Sequence, residues 1–104
     1  MTIQFNTDKT ISGEERQEAY FTSQIKEGLD RFSSHITRVE VHLKDENGKK
    51  DGFNDISCLL EARMEGRKPL AVNTKGNSTK EAVNSAIDKM TNAMNKIIGK
   101  LQEH

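Results

Sequence analysis

Ile36-Thr37-Arg38-Val39-Glu40-Val41-His42-Leu43 sets the architecture of this chain. Thr37, Val39, Val41 and Leu43 alternate with Arg38, Glu40, His42 and Lys44, the period of a β-strand whose successive side chains leave on opposite faces. One face is apolar and the other is charged. The strand therefore belongs to a sheet that is covered on one side and wet on the other.

Downstream, Lys44 to Asn54 carries Asn47-Gly48 and Asp51-Gly52, dipeptides that accept positive φ and favour turns, so the segment reads as a polar hairpin loop. Cys58, Leu60, Ala62 and Met64 then alternate with Ser57, Leu59, Glu61 and Arg63, giving another strand that Glu65-Gly66 can reverse. Pro69 to Asn73 follows as an edge strand, because a proline at its start cannot donate a ladder hydrogen bond. Upstream, Ile3 and Phe5 alternate with Thr2, Gln4 and Asn6 as a short first strand. Between the two lies a helix: Ser12 and Glu15 form a capping-box pattern, and Phe21, Ile25, Leu29 and Phe32 mark its inner side. Gly28 weakens it by about 1 kcal/mol relative to Ala.

The last stretch is a second helix. Ser78 and Glu81 repeat the capping box, and Val83, Ile87, Met90, Met94, Ile97 and Leu101 recur at steps of three and four. At about 100° per residue, Lys89, Lys96 and Lys100 fall within roughly 40° of one another and roughly 120° from the apolar centre. Between Lys89 and Lys100 there is no acidic residue. The helix buries one edge and offers a cationic row on another.

The order β-α-β-β-β-α predicts an α+β fold. Its four-stranded mixed sheet has the first two strands parallel through a helical crossover and the rest antiparallel, with both helices on one face. The 104 residues suit one domain spanning 1–104. A single cysteine, Cys58, excludes an internal disulfide, and the absence of a membrane-length apolar run or leader pattern makes the cytoplasm the expected compartment. A net charge of zero argues against indiscriminate polyanion binding.

No residues point to catalysis, a cofactor or a metal. Cys58 lies on the expected buried face with no motif partner, and reads as an inert core thiol. His35 and His42 lack metal-ligand spacing. In Asp45-Glu46-Asn47-Gly48 the glycine comes too early for a calcium loop, and no glutamate follows at the required interval. Phosphate-binding glycine loops, nucleophile elbows and catalytic acid pairs are all missing from the sequence.

The element order, the segment Ile36 to Leu43, and the pieces Ala82-Val83-Asn84, Ile87-Asp88-Lys89-Met90, Asn95-Lys96 and Lys100 together resemble the ribosome hibernation factors, the family of hibernation promoting factor and ribosome-associated inhibitor A. The resemblance implies a double-stranded-RNA-binding-like fold that docks on the small ribosomal subunit and its rRNA. It further implies occlusion of the mRNA and tRNA channel under stress, translation silenced without catalysis, and no membrane or small-molecule substrate. Lys89, Lys96 and Lys100 would take the place of the family's rRNA-facing lysines. Arg38, Lys44, Arg63, Arg67, Lys68 and Lys75 are the candidates for supplementary RNA contacts, with Arg38 and Arg63 expected on the helix-free face of the sheet and Arg67 and Lys68 in the last hairpin. The chain stops at His104, where the long family form adds a further domain, so pairing of ribosomes by this chain alone is not implied. Two features depart from the family: Asn92-Ala93 stands where an Arg or Lys followed by Gln is usual, and the net charge is neutral where relatives are basic. Both favour the alternative, a non-enzymatic protein-binding module of the same fold that has lost RNA affinity.

Overall fold

The computed structural model describes residues 1–7, 11, 17–46 and 55–102, the last three for their backbone alone. Strand β1 (Thr2–Thr7) is followed by helix α1 (Glu18–Gly28), strands β2 (Ile36–Asp45), β3 (Ile56–Met64) and β4 (Leu70–Gly76), and helix α2 (Thr79–Gln102). The sheet order is β1-β2-β3-β4, with β1 parallel to β2 and the other pairs antiparallel. This is the predicted α+β arrangement. The Ser12 and Glu15 cap and the Asn47-Gly48 and Asp51-Gly52 turns lie outside the described residues.

Val39, Val41 and Leu43 of β2 and Cys58, Leu60 and Ala62 of β3 are almost completely buried, and α1 and α2 cover them with Phe21, Ile25, Val83, Met90 and Met94. Phe5 of β1 stacks on Phe21 at 6.3 Å between ring centroids, tying α1 to the sheet. Ile11 completes the core on this side.

Four sequence expectations need correction. Thr37 does not face the core: a register shift between Ile36 and Arg38 turns Ile36 inward instead and leaves Thr37 exposed. Its hydroxyl donates to the Arg63 carbonyl at 3.1 Å, so a local bulge explains the broken alternation. Phe32 is buried, as its spacing predicts, but in a 3-10 turn (Asp30–Phe32) beyond the end of α1. The third correction is to strand ends: β2 runs through Lys44 to Asp45, into the expected loop, and β4 continues past Asn73 to Gly76.

The fourth correction concerns α2, whose deepest residues include Ala82 and Ala86, while Ile87 and Ile97 are only partly covered. Small side chains there let the helix lie close to the sheet. A Cβ on Gly76 would stand 2.7 Å from the Ala82 backbone nitrogen, and one on Gly28 would stand 2.6 Å from Ile87 Cγ2. Gly28 is therefore where α1 meets α2, beyond the propensity cost the sequence suggests. The Ser78 hydroxyl accepts from Glu81 N at 3.1 Å, as a capping box requires, but Glu81 returns its carboxylate to the Asn77 amide at 3.2 Å, one residue earlier than the standard motif.

Candidate nucleic-acid interface

The predicted cations fall into three groups set by the topology. β4 is an edge strand, and α2 runs back along it after the short connection at Asn77-Ser78. Lys89 Nζ donates to the Asn73 carbonyl of β4 at 3.2 Å, so the lysine row flanks the edge of the sheet. The seven residues from Lys89 to Lys96 rise about 10 Å along a helix, and the three residues from Asn73 back to Leu70 span about 10 Å along a strand. By these rises Lys96 comes about level with the start of β4, and the turn that precedes β4 carries Arg67 and Lys68, both exposed. Lys89, Lys96, Arg67 and Lys68 form the first group. The backbone carries Lys100 one turn further along α2, and its side chain lies outside the described residues.

Arg38 and Arg63 are the second group, opposite each other in the β2–β3 register on the helix-free face, as predicted. The next outward pair in that register is Glu40 opposite Glu61. Like charges directly across a pair of strands repel, and here the diagonals relieve both pairs. Arg63 Nε donates to Glu40 Oε2 at 3.0 Å and to Glu61 Oε1 at 3.1 Å. Arg38 Nη2 lies 3.3 Å from Glu40 Oε1 and also donates to Gln4 Oε1. His42 Nε2 is 3.9 Å from the same Glu40 oxygen.

Lys44 and Lys75 make the third group, at the opposite end of this face. Lys44 Nζ is 4.0 Å from Glu46 and Lys75 Nζ is 3.9 Å from Asp55, with both lysines more than half exposed. Pairs this long and this wet contribute little. Between the two charged ends runs a row without formal charge: Asn6, His42, Leu59 and Asn73 are neighbours across the four strands.

The first group differs from the others in its partners. Among the described residues the ion pairs between formally charged groups involve Arg38, Lys44, Arg63 and Lys75, and neither Lys89 nor Lys96 belongs to one. Two acidic side chains of the helices, Glu27 and Asp88, line an open groove between α1 and α2 with Gln24 and Asn84. Asn92 is exposed and Ala93 half-buried, so the middle of α2 presents an amide where an additional cation would extend the row.

Glu40 is the residue that sequence reasoning missed. Its place two residues from Arg38 on the same strand face was visible, but its diagonal approach to Arg63 depends on the register of β2 and β3. Cys58 is fully buried, and burial pushes its thiol up to about 12, which leaves almost no thiolate near neutral pH. Among the described residues no group of three or more His, Cys, Asp or Glu side chains could hold a metal ion. No helix among them is long and apolar enough to cross a membrane.

The profile of the family described as Sigma 54 modulation protein / S30EA ribosomal protein matches residues 3–102. No curated protein matches the chain significantly. The N-terminal domain of Thermus thermophilus Protein Y superposes with a TM-score of 0.71 at 13% identity, covering 93% of this chain and 99% of that one. A ribosomal subunit interface protein from Coxiella burnetii superposes with a TM-score of 0.70, also at 13% identity, covering 95% of this chain and 99% of its own. At such identity these two likenesses speak to the fold.

Proposed function

The chain belongs to the Sigma 54 modulation protein / S30EA ribosomal protein family, and from that membership we propose that it is a cytoplasmic, ribosome-associated hibernation factor. It binds rRNA of the small subunit, occupies the mRNA and tRNA channel under stress, and silences translation by occupancy without catalysis or a cofactor. The solved structures with this fold include a ribosomal subunit interface protein, which is consistent with such a partner.

What supports this reading is the set of cations at the β4 edge, Lys89 and Lys96 on α2 and Arg67 and Lys68 in the turn before β4, none of which is paired to a carboxylate among the described residues. Each lysine or arginine that neutralises a phosphate releases a condensed counterion, so binding built on this row weakens steeply as salt rises. A rigid row that follows a helix axis suits folded RNA, which is recognised by shape and backbone more than by sequence.

Sedimentation with purified small ribosomal subunits over a salt series tests the proposal. Wild type pellets with subunits at low salt, Lys96→Glu pellets less, and Lys89→Glu/Lys96→Glu stays in the supernatant, with the salt slope falling by about one for each phosphate that is no longer neutralised. Circular dichroism establishes that the variants are folded. The paired charges of the outer sheet face favour the second reading, a protein-binding module of the same fold. Wild type that fails to pellet at low salt, or a double variant that pellets equally well, decides for that second reading.

A further inference from the structure

The tightest charge network among the described residues lies outside the lysine row, around Glu40. Its side chain is 13% exposed, whereas the side chains of Arg38 and Arg63 are 44% and 50% exposed. The carboxylate is thus the recessed member, and two guanidinium groups lean over it. One oxygen faces Arg38 at 3.3 Å and the other accepts from Arg63 at 3.0 Å. Two oxygens shared between two arginines is the arrangement a phosphate would offer them. Glu61 gives Arg63 a second carboxylate at 3.1 Å, and Gln4 gives Arg38 a neutral acceptor.

We infer that Glu40 is the specificity-determining residue of the helix-free sheet face, an internal phosphate surrogate that keeps Arg38 and Arg63 from loose RNA. The inference rests on the reading of this protein as an RNA-binding factor and deepens it. A flexible polyanion that reaches Arg38 must displace the guanidinium from Glu40. One that reaches the outer nitrogens of Arg63, which holds both carboxylates through Nε, must sit beside two negative charges. Either way the net attraction is close to nil, because the two arginines are balanced by Glu40 and Glu61. Among the described residues Lys89 and Lys96 have no such carboxylate partner and stay available. Specificity is a difference between affinities and is raised by suppressing the wrong partner. On a surface whose phosphate contacts would otherwise be indiscriminate, a built-in competitor does this while leaving the docking edge untouched.

The test compares Glu40→Gln, which keeps the shape and removes the charge, with Glu27→Gln, which removes one negative charge from the groove between the helices and releases no arginine. Binding to poly(U), as a flexible single-stranded probe, and to purified small subunits is measured over the same salt series. Glu40→Gln tightens poly(U) binding about tenfold and steepens its salt slope by about one, so that preference for subunits over poly(U) falls. Glu27→Gln changes poly(U) binding less than about twofold, as expected of a charge remote from the arginines. Adding Arg38→Gln/Arg63→Gln to Glu40→Gln abolishes the gain, and thermal melts verify that each variant folds. Equal effects of Glu40→Gln and Glu27→Gln, or a gain that survives removal of both arginines, overturn the inference. Failure of wild type to bind subunits overturns the ribosomal reading instead and leaves the poly(U) comparison standing.

Discussion

The edge of β4 and the outer face of the sheet carry the same kinds of cation in opposite states. On the outer face, Arg38 and Arg63 sit in a checkerboard with Glu40 and Glu61, and Lys44 and Lys75 have looser carboxylate neighbours. Along the edge, Lys89 donates to a backbone carbonyl and Lys96 is exposed without a carboxylate partner among the described residues. A formal net charge of zero describes both regions equally and predicts neither. What matters to an anionic partner is whether a cation already has a carboxylate within about 4 Å, since charges that close cancel for anything approaching from a Debye length away. Neutrality of the whole chain is compatible with a local cationic edge, because part of the acidic charge faces elsewhere: Glu40 and Glu61 lie on the sheet face, and Glu27 and Asp88 line the groove between the helices.

The contrast depends on α2 lying tightly along β4, and Gly76 is where that closeness can be broken. A Cβ there meets the backbone of Ala82 at 2.7 Å and Glu81 Cβ at 3.0 Å, so the helix start must move rather than a flexible side chain. Gly76→Val is expected to cost about 1–3 kcal/mol, the range for forcing extra atoms into a packed site, and chemical denaturation measures it. The same displacement takes the Thr74 hydroxyl away from the Ala82 carbonyl, which it reaches at 2.7 Å. A variant as stable as wild type would mean that the lysine row does not need this register.

Within the edge itself, Lys89 and Lys96 separate by the work each does for the fold. Lys89→Met removes the hydrogen bond to Asn73 and uncovers part of an edge strand, a place where lysine commonly discourages pairing with other chains. A destabilisation of about 0.5–1.5 kcal/mol is expected, with greater self-association by analytical ultracentrifugation. Lys96→Met, exposed and without such a bond, should stay within about 0.5 kcal/mol of wild type. Equal stabilities for the two variants would place Lys89 in the same purely solvated class as Lys96.

Much of this was legible in the residues. Period-two alternation located β2 and β3, because a sheet with one wet face imposes it, and the capping pattern at Ser78 located the start of α2 within a residue. The inward face of β2 misled at Thr37, since a bulge adds a residue without changing composition, and the true inward residue, Ile36, had no partner in the alternation to mark it. Ala82 and Ala86 escaped the apolar seam because alanine carries little hydrophobic signal, although smallness is what brings the helix near the sheet. The candidate cations were easy to enumerate and hard to rank. Their ranking is a matter of cross-strand register, and nothing local to Arg63 says that Glu40 will lie diagonally opposite.

The outer face is tested in turn by the stability change of Glu40→Gln, which is expected to be small. Removing one partner from a buried ion pair usually costs several kcal/mol because a charge is left in a poor solvent. Here the charges left behind belong to Arg38 and Arg63, each about half exposed, so water takes up what the carboxylate gives away. The glutamine side chain fills the same space and can still accept a hydrogen bond from one arginine, while Glu61 keeps hold of Arg63. The cost should therefore stay below about 1 kcal/mol, in the range of exposed pairs, as read from denaturation midpoints. A tenfold gain in poly(U) binding corresponds to about 1.4 kcal/mol, more than the fold would lose. Should denaturation instead reveal a destabilisation of several kcal/mol, Glu40 would be holding the sheet together, and the checkerboard would be a structural clamp rather than a device for choosing partners.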